Sequence, residues 1–150
     1  MRDPVDVEVP PLTDGVIELR VLERHPFGVS TCPPGYVFAI VLLETEVEVG
    51  RLLLFVDNGP GRREYAGHIA YEVAAEHRGH RYAARACLLV QTVAREHLEV
   101  AWIMISPDNL ASVRTAELAG AAYVDTREVP QHSDIRKLGI RWVRRFRWVS

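Results

Sequence analysis

The chain is poor in cysteine, lysine and methionine, and it has no long apolar run. Its 150 residues hold two cysteines, Cys32 and Cys87, which allow one bridge at most and exclude a disulfide scaffold. Reduced thiols are the expectation. Of the 18 basic residues only Lys137 is a lysine, so arginine supplies nearly all the positive charge. The longest uninterrupted apolar stretch, Val37 to Leu43, falls far short of the ~20 residues of a membrane-spanning helix. The N-terminus, MRDPVDVEVPPL, carries no apolar segment of secretory type. Neither sign of charge dominates: the net charge is −2, unlike the basic domains that bind nucleic acid in bulk. The six histidines show no metal spacing such as H-E-x-x-H, so no metal is expected. These absences predict a cytoplasmic protein with no membrane and no nucleic-acid partner. The 48% of hydrophobic residues are enough to fill one core, so residues 1–150 are expected to form one domain.

Residues 1–14 carry Pro4, Pro10 and Pro11 and read as a loosely structured lead-in. Val16 to Val21 reads as a first strand. Residues 23–35 hold three prolines and two glycines, which excludes a long helix there. Tyr36 to Leu43 and Val49 to Val56 are apolar strands. The turn Asn58-Gly59-Pro60-Gly61 is expected to join the latter to a strand over Tyr65 to Val73 as a hairpin. From Tyr82 the period changes: apolar residues at 82, 83, 86, 89, 90 and 93 predict a helix to about His97. Val100 to Ile105 is a short strand. Asp108 or Asn109 caps a second helix, and Gly120 ends it. Ala121 to Val129 is a strand, 130–138 a polar loop. Gly139 to Val149 alternates, with Ile140, Trp142, Phe146 and Trp148 on a core face and Arg141, Arg145 and Arg147 on a solvent face. That alternation fits a half-buried strand better than aromatic stacking on nucleic acid. The crossover from Tyr65–Val73 through the helix to Val100–Ile105 suits a parallel pair. The fold class is therefore α/β (α+β): a mixed sheet with helices packed on it.

The informative stretch is Glu76-His77-Arg78-Gly79-His80-Arg81-Tyr82-Ala83, between a strand end and a helix start. The first helical turn offers backbone N–H groups without intrahelical partners, at the positive end of the dipole. Gly79 lets a ligand approach the main chain, and Arg78, His80 and Arg81 add positive charge. This reads as a phosphate or pyrophosphate cradle; an ordinary capped helix with solvated arginines is the plain alternative. Neither the P-loop nor the G-x-G-x-x-G fingerprint is present.

Arg78 to Ala83 resembles the R-x-x-G-x-G/A signature with which GNAT-superfamily N-acetyltransferases hold coenzyme A. Asn109 to Arg114, running on to Leu118-Ala119-Gly120-Ala121, resembles the superfamily's N-x-x-S … L-x-G segment. Leu12 to Arg20 resembles the opening strand of the subfamily that acetylates ribosomal-protein N-termini. The three segments lie in family order over residues 12 to about 125. The resemblance implies a GNAT-like, mostly antiparallel sheet whose one parallel pair, near 67–73 and 100–105, splays apart. It implies acetyl-CoA in the opening, its pyrophosphate on the amides of Arg78, Gly79, His80, Arg81, Tyr82 and Ala83, and its pantetheine along Val73 and Ala75. Three departures stand out. Arg81 occupies the place of a glycine, where helical angles remain open to it. Ala116 stands where many members carry a thiolate-protonating tyrosine. Residues 23–35 cannot hold the two helices that shape the acceptor pocket, so that side is expected to be open or completed by a second copy in a homodimer.

Transfer to an amine needs a neutral amine, a polarised thioester and a stabilised thiolate. Glu72, at the end of its strand, is the candidate base, and partial burial would raise its pKa; a solvated carboxylate is the alternative. His68 lies ~13 Å away on the same strand face and reads as structural. A backbone N–H near Val73 is the candidate oxyanion donor. Ser112 is the candidate donor to the sulfur, with helix capping as its alternative. Asn109 reads as an N-cap that also touches the pantetheine. Tyr123 could act as acid but reads as core, and Cys87 reads as a packed thiol. The expected function is acetyl-CoA-dependent N-acetylation by direct attack of a small-molecule or peptide amine. A catalytically silent acyl-CoA-binding domain of the same fold is the alternative.

Overall fold

The computed structural model describes residues 2–29 and 31–149. Eight strands form one sheet: β1 (Leu12–Thr13), β2 (Ile17–His25), β3 (Gly35–Leu42), β4 (Val47–Phe55), β5 (Ile69–Val73), β6 (Val100–Ile105), β7 (Ala122–Glu128) and β8 (Trp142–Val149). Their order across the sheet is β1-β2-β3-β4-β5-β6-β8-β7. Every neighbouring pair is antiparallel except β5 and β6. Helices α1 (Tyr82–Arg95) and α2 (Leu110–Leu118) and the single turn α3 (Asp134–Lys137) complete the chain.

One face of the sheet builds the core, because alternate strand residues point to it. Ile17 and Leu19, Tyr36, Phe38 and Ile40, Leu52 and Leu54, Ile103 and Ile105, and Phe146 and Trp148 all lie there. The buried stripe Ala86, Cys87, Val90, Val93 and Ala94 of α1 recurs at helical spacing and packs onto it. Burial pushes the Cys87 thiol up, as expected of a packed core cysteine.

The parallel pair decides the shape of the site. Among the described residues, β5 and β6 share one register pair, Ile69 with Ile103. The His68 N–H donates to the Trp102 carbonyl (2.7 Å), and the Trp102 N–H donates to His68 Nδ1 (3.1 Å). His68 Nε2 in turn donates to the Asp57 carbonyl (3.1 Å). With Nδ1 accepting and Nε2 donating, the ring is held neutral. His68 thus pins the closed end of the pair, and beyond Ile69 the strands part.

Several expectations need correction. The lead-in is not loose: Asp3 caps a 3₁₀ turn at Pro4–Asp6, Val7 and Leu12 are buried, and β1 pairs with β2. Tyr65 and Ala66 belong to no strand. They lie in a π-turn over Arg62–Ala66, closed by the Gly67 N–H on the Arg62 carbonyl (2.7 Å). Arg62 is drawn there by Asp57 and by the Phe55 ring, which its guanidinium overlies at 4.1 Å. In β8 Trp142 is not core but 45% exposed, its ring under the Arg141 guanidinium, and Arg145 is not on a solvent face: it is 4% exposed, with Asp125 accepting from its Nε (2.6 Å) and Nη2 (2.9 Å). The polar loop 130–138 contains α3, capped by Ser133. As expected, no helix stands among the described residues between β2 and β3.

Candidate active site

Where β5 and β6 part, a cleft of about 430 Å³ opens between β5, the start of α1 and the start of α2. Of the residues singled out from the sequence, Glu72, Val73, Arg78 to Ala83, Asn109 and Ser112 all line it. Ala75 does not; it starts a 3₁₀ turn, Ala75–His77, outside the lining.

The cradle is built as an anion site. Gly79 has φ +91°, and a Cβ there would meet nothing within 4 Å, so the main chain faces open cleft. No side chain caps the N-terminus of α1, and its first turn holds no acidic residue. The expectation for Arg81 is overturned: it is not helical but left-handed, at φ 62°, ψ 24°. A side chain is strained there, which is why the place suits glycine. Arg78 turns back, its Nε donating to the Val73 carbonyl (2.9 Å) at the end of β5. His80 stacks on Tyr82 with ring centroids 5.3 Å apart.

The opposite wall comes from α2. Asn109 is its N-cap, Oδ1 accepting from the Ser112 N–H (3.2 Å). The Ser112 hydroxyl is thereby not the cap, and it makes no hydrogen bond among the described residues. Ala116 is fully buried and offers no hydroxyl to the cleft. Glu72 is exposed rather than partly buried, and stands opposite Arg51 on β4. Tyr123 is neither core nor cleft: it is exposed, its hydroxyl on Thr126 Oγ1 (2.8 Å).

One cleft residue escaped the sequence reading. Tyr71 spans the gap, its hydroxyl donating to the Ser112 carbonyl (3.0 Å), and burial raises its pKa. The parity of β5, which puts 69, 71 and 73 on one face, was the signal for it. Among the described residues no three His, Cys, Asp or Glu side chains gather as metal ligands. No helix there is long and apolar enough to cross a membrane.

The family described as acetyltransferase (GNAT) domain matches residues 10–122. The chain belongs to the GNAT acetyltransferases. No curated protein matches it in sequence. Solved structures share the GNAT fold. An acetyltransferase from Agrobacterium tumefaciens is 17% identical over 100% of both chains, with TM-score 0.65. A ribosomal-protein-S5-alanine acetyltransferase from Vibrio fischeri is 15% identical over 77% of this chain and 61% of its own, with TM-score 0.60. The microcin C7 self-immunity acetyltransferase, solved with acetyl-CoA and AMP, is 16% identical over 77% and 61%, with TM-score 0.59. At these identities the likeness is one of fold, and the splayed β5–β6 pair of this GNAT chain belongs to it.

Proposed function

We propose that residues 1–150 form one GNAT domain that moves an acetyl group from acetyl-CoA to a primary amine. The observation that carries this is the convergence, in one cleft, of an uncapped helix N-terminus with the free edge of β5. The residues fit the donor. The α1 amides, open Gly79, Arg78 and Arg81 suit its diphosphate, and Val73 suits a pantetheine amide. In the free protein Arg78 occupies the Val73 carbonyl, so donor binding exchanges that guanidinium for the pantetheine.

Chemistry follows by direct attack, since Cys87 is sealed in the core and no activated nucleophile among the described residues faces the cleft. Glu72, exposed beside the gap, takes the proton of the incoming ammonium, directly or through a water. The amine nitrogen then bonds to the thioester carbonyl carbon, and a backbone N–H at Val73 steadies the oxyanion. The C–S bond breaks, and the nitrogen's second proton passes through the Ser112 hydroxyl to the departing thiolate. The products are the N-acetyl amine and coenzyme A thiol. With no helix among the described residues between β2 and β3, the acceptor side is open to a peptide or small-molecule amine, or to completion by a second copy. We place the activity in the cytoplasm, where reduced Cys32 and Cys87 persist.

The fully buried Ala116 and the exposed Glu72 favour one second reading, an acyl-CoA-binding domain without turnover. Thiol release with acetyl-CoA and a panel of amines separates the two. Transfer predicts amine-dependent release, lowered about 10- to 100-fold by Glu72→Gln and about 10-fold by Ser112→Ala. Full turnover in both variants contradicts these roles, and binding without release favours the silent domain.

A further inference from the structure

The other face of the sheet carries a depression that acetyl transfer leaves unused. It lies at the closed end of the splay, between the Arg62–Ala66 turn and strands β6, β8 and β7, and measures about 890 Å³. That is within the range of small-molecule sites, about 300–1,000 Å³. Five arginines line it, Arg62, Arg63, Arg127, Arg145 and Arg147, against one acid, Glu99.

Gathered guanidiniums repel, and each needs a counter-charge. Arg62 has Asp57 (2.8 Å), and Arg145 has Asp125 (2.6 Å). Arg127 reaches only that same Asp125, at 3.3 Å. Among the described residues the guanidiniums of Arg63 and Arg147 have neither hydrogen bond nor ion pair. The depression is also built rather than incidental. Arg145, 4% exposed, lies over the Trp102 ring at 4.8 Å and donates to the Arg63 carbonyl (2.8 Å). It thereby fixes the backbone that carries Arg63.

We infer that this depression binds a phosphorylated small molecule of about mononucleotide size, separately from the cleft. Arg63, Arg147 and Arg127 meet the phosphate oxygens, for which a planar guanidinium is the best-matched side chain. Val100 and Val124, beside the Arg145-covered Trp102 ring, form the apolar part of the lining against which the organic body rests. A net charge of −2 and the acid at Glu99 favour a small ligand over a nucleic-acid polymer. The inference does not rest on the acetyl-transfer reading.

The test uses ADP as probe and the Arg78→Glu protein, in which the α1 cradle is disabled. Calorimetry and amide NMR are expected to show ADP binding that shifts the Trp102 indole and the Arg63 and Arg147 amides, with no binding of adenosine. Adding Arg63→Gln and Arg147→Gln should weaken ADP binding at least about tenfold; both side chains are exposed, so the melting temperature should hold. Absence of ADP binding to the Arg78→Glu protein overturns the inference, as does a loss under about twofold or equal binding of adenosine. A short RNA bound about 100-fold more tightly than ADP, with a steep salt dependence, would overturn the small-molecule assignment in favour of nucleic acid.

Discussion

Arg81 is held at φ 62°, ψ 24°, a conformation that costs a side chain roughly 1–2 kcal/mol over the right-handed one. Strain of this kind persists where the residue is held for another reason, and here the guanidinium stands at the mouth of the cradle. Arg81→Gly should therefore stabilise the free protein by about 0.5–1 kcal/mol, raising its melting temperature by roughly 1–4 °C. The same change should weaken acetyl-CoA several-fold, read by calorimetry. Burial, the leading cause, lowers the pKa of both His68 and His97 below the ordinary 6.5. On acidification the unfolded chain takes up these protons first. Their contribution to stability is thus complete above about pH 6.5 and is lost as pH falls towards the folded values. Urea midpoints should fall between pH 7.5 and 5.5. A His68→Ala protein should be less stable at neutral pH by about 2–4 kcal/mol, because the Trp102 N–H and Asp57 carbonyl lose their partner. It should also show a flatter acid dependence.

Among the elements, β5 does most to shape the cleft. His68 ties its start to β6 and Tyr71 ties its middle to α2, so the gap has a fixed width. Tyr71→Phe keeps the ring and removes the tie. It should cost about 0.5–1.5 kcal/mol of stability and raise the KM for acetyl-CoA several-fold, with kcat changed less. The start of α1, the Asn109 cap, the Gly120 stop and the β6 boundaries were all legible, because each is written in local chemistry. What local pattern could not show depended on distant partners. The Arg62–Ala66 turn looked like strand because Tyr65 and Ala66 are apolar, but Asp57 and Phe55 hold Arg62 in a turn. Arg145 looked solvated because its partner, Asp125, lies 20 residues away. Val7 and Leu12 became core only because the sheet offered them cover.

Across the whole molecule, the sheet separates two kinds of surface. The face that carries α1 and α2 holds the cleft, where anionic ligand and strand edge meet. The opposite face carries Arg20, Arg51, Glu72 and Arg147 beside the buried His68, Trp102 and Arg145. The cleft residues come from three stretches of chain, 71–73, 77–83 and 109–115, which the sequence could place only through the family's order of motifs. The GNAT fold supplies the frame, while Arg81, Ala116 and the lack of a helix among the described residues between β2 and β3 distinguish this chain. In the proposed reading the 77–83 corner grips the diphosphate of acetyl-CoA. Calorimetric titration of acetyl-CoA into the wild-type and Arg78→Glu proteins tests it most directly. One site per chain is expected in the wild type, and loss of binding in a variant that melts as the wild type does. Equal affinity in the two proteins, or no binding to the wild type, would contradict it.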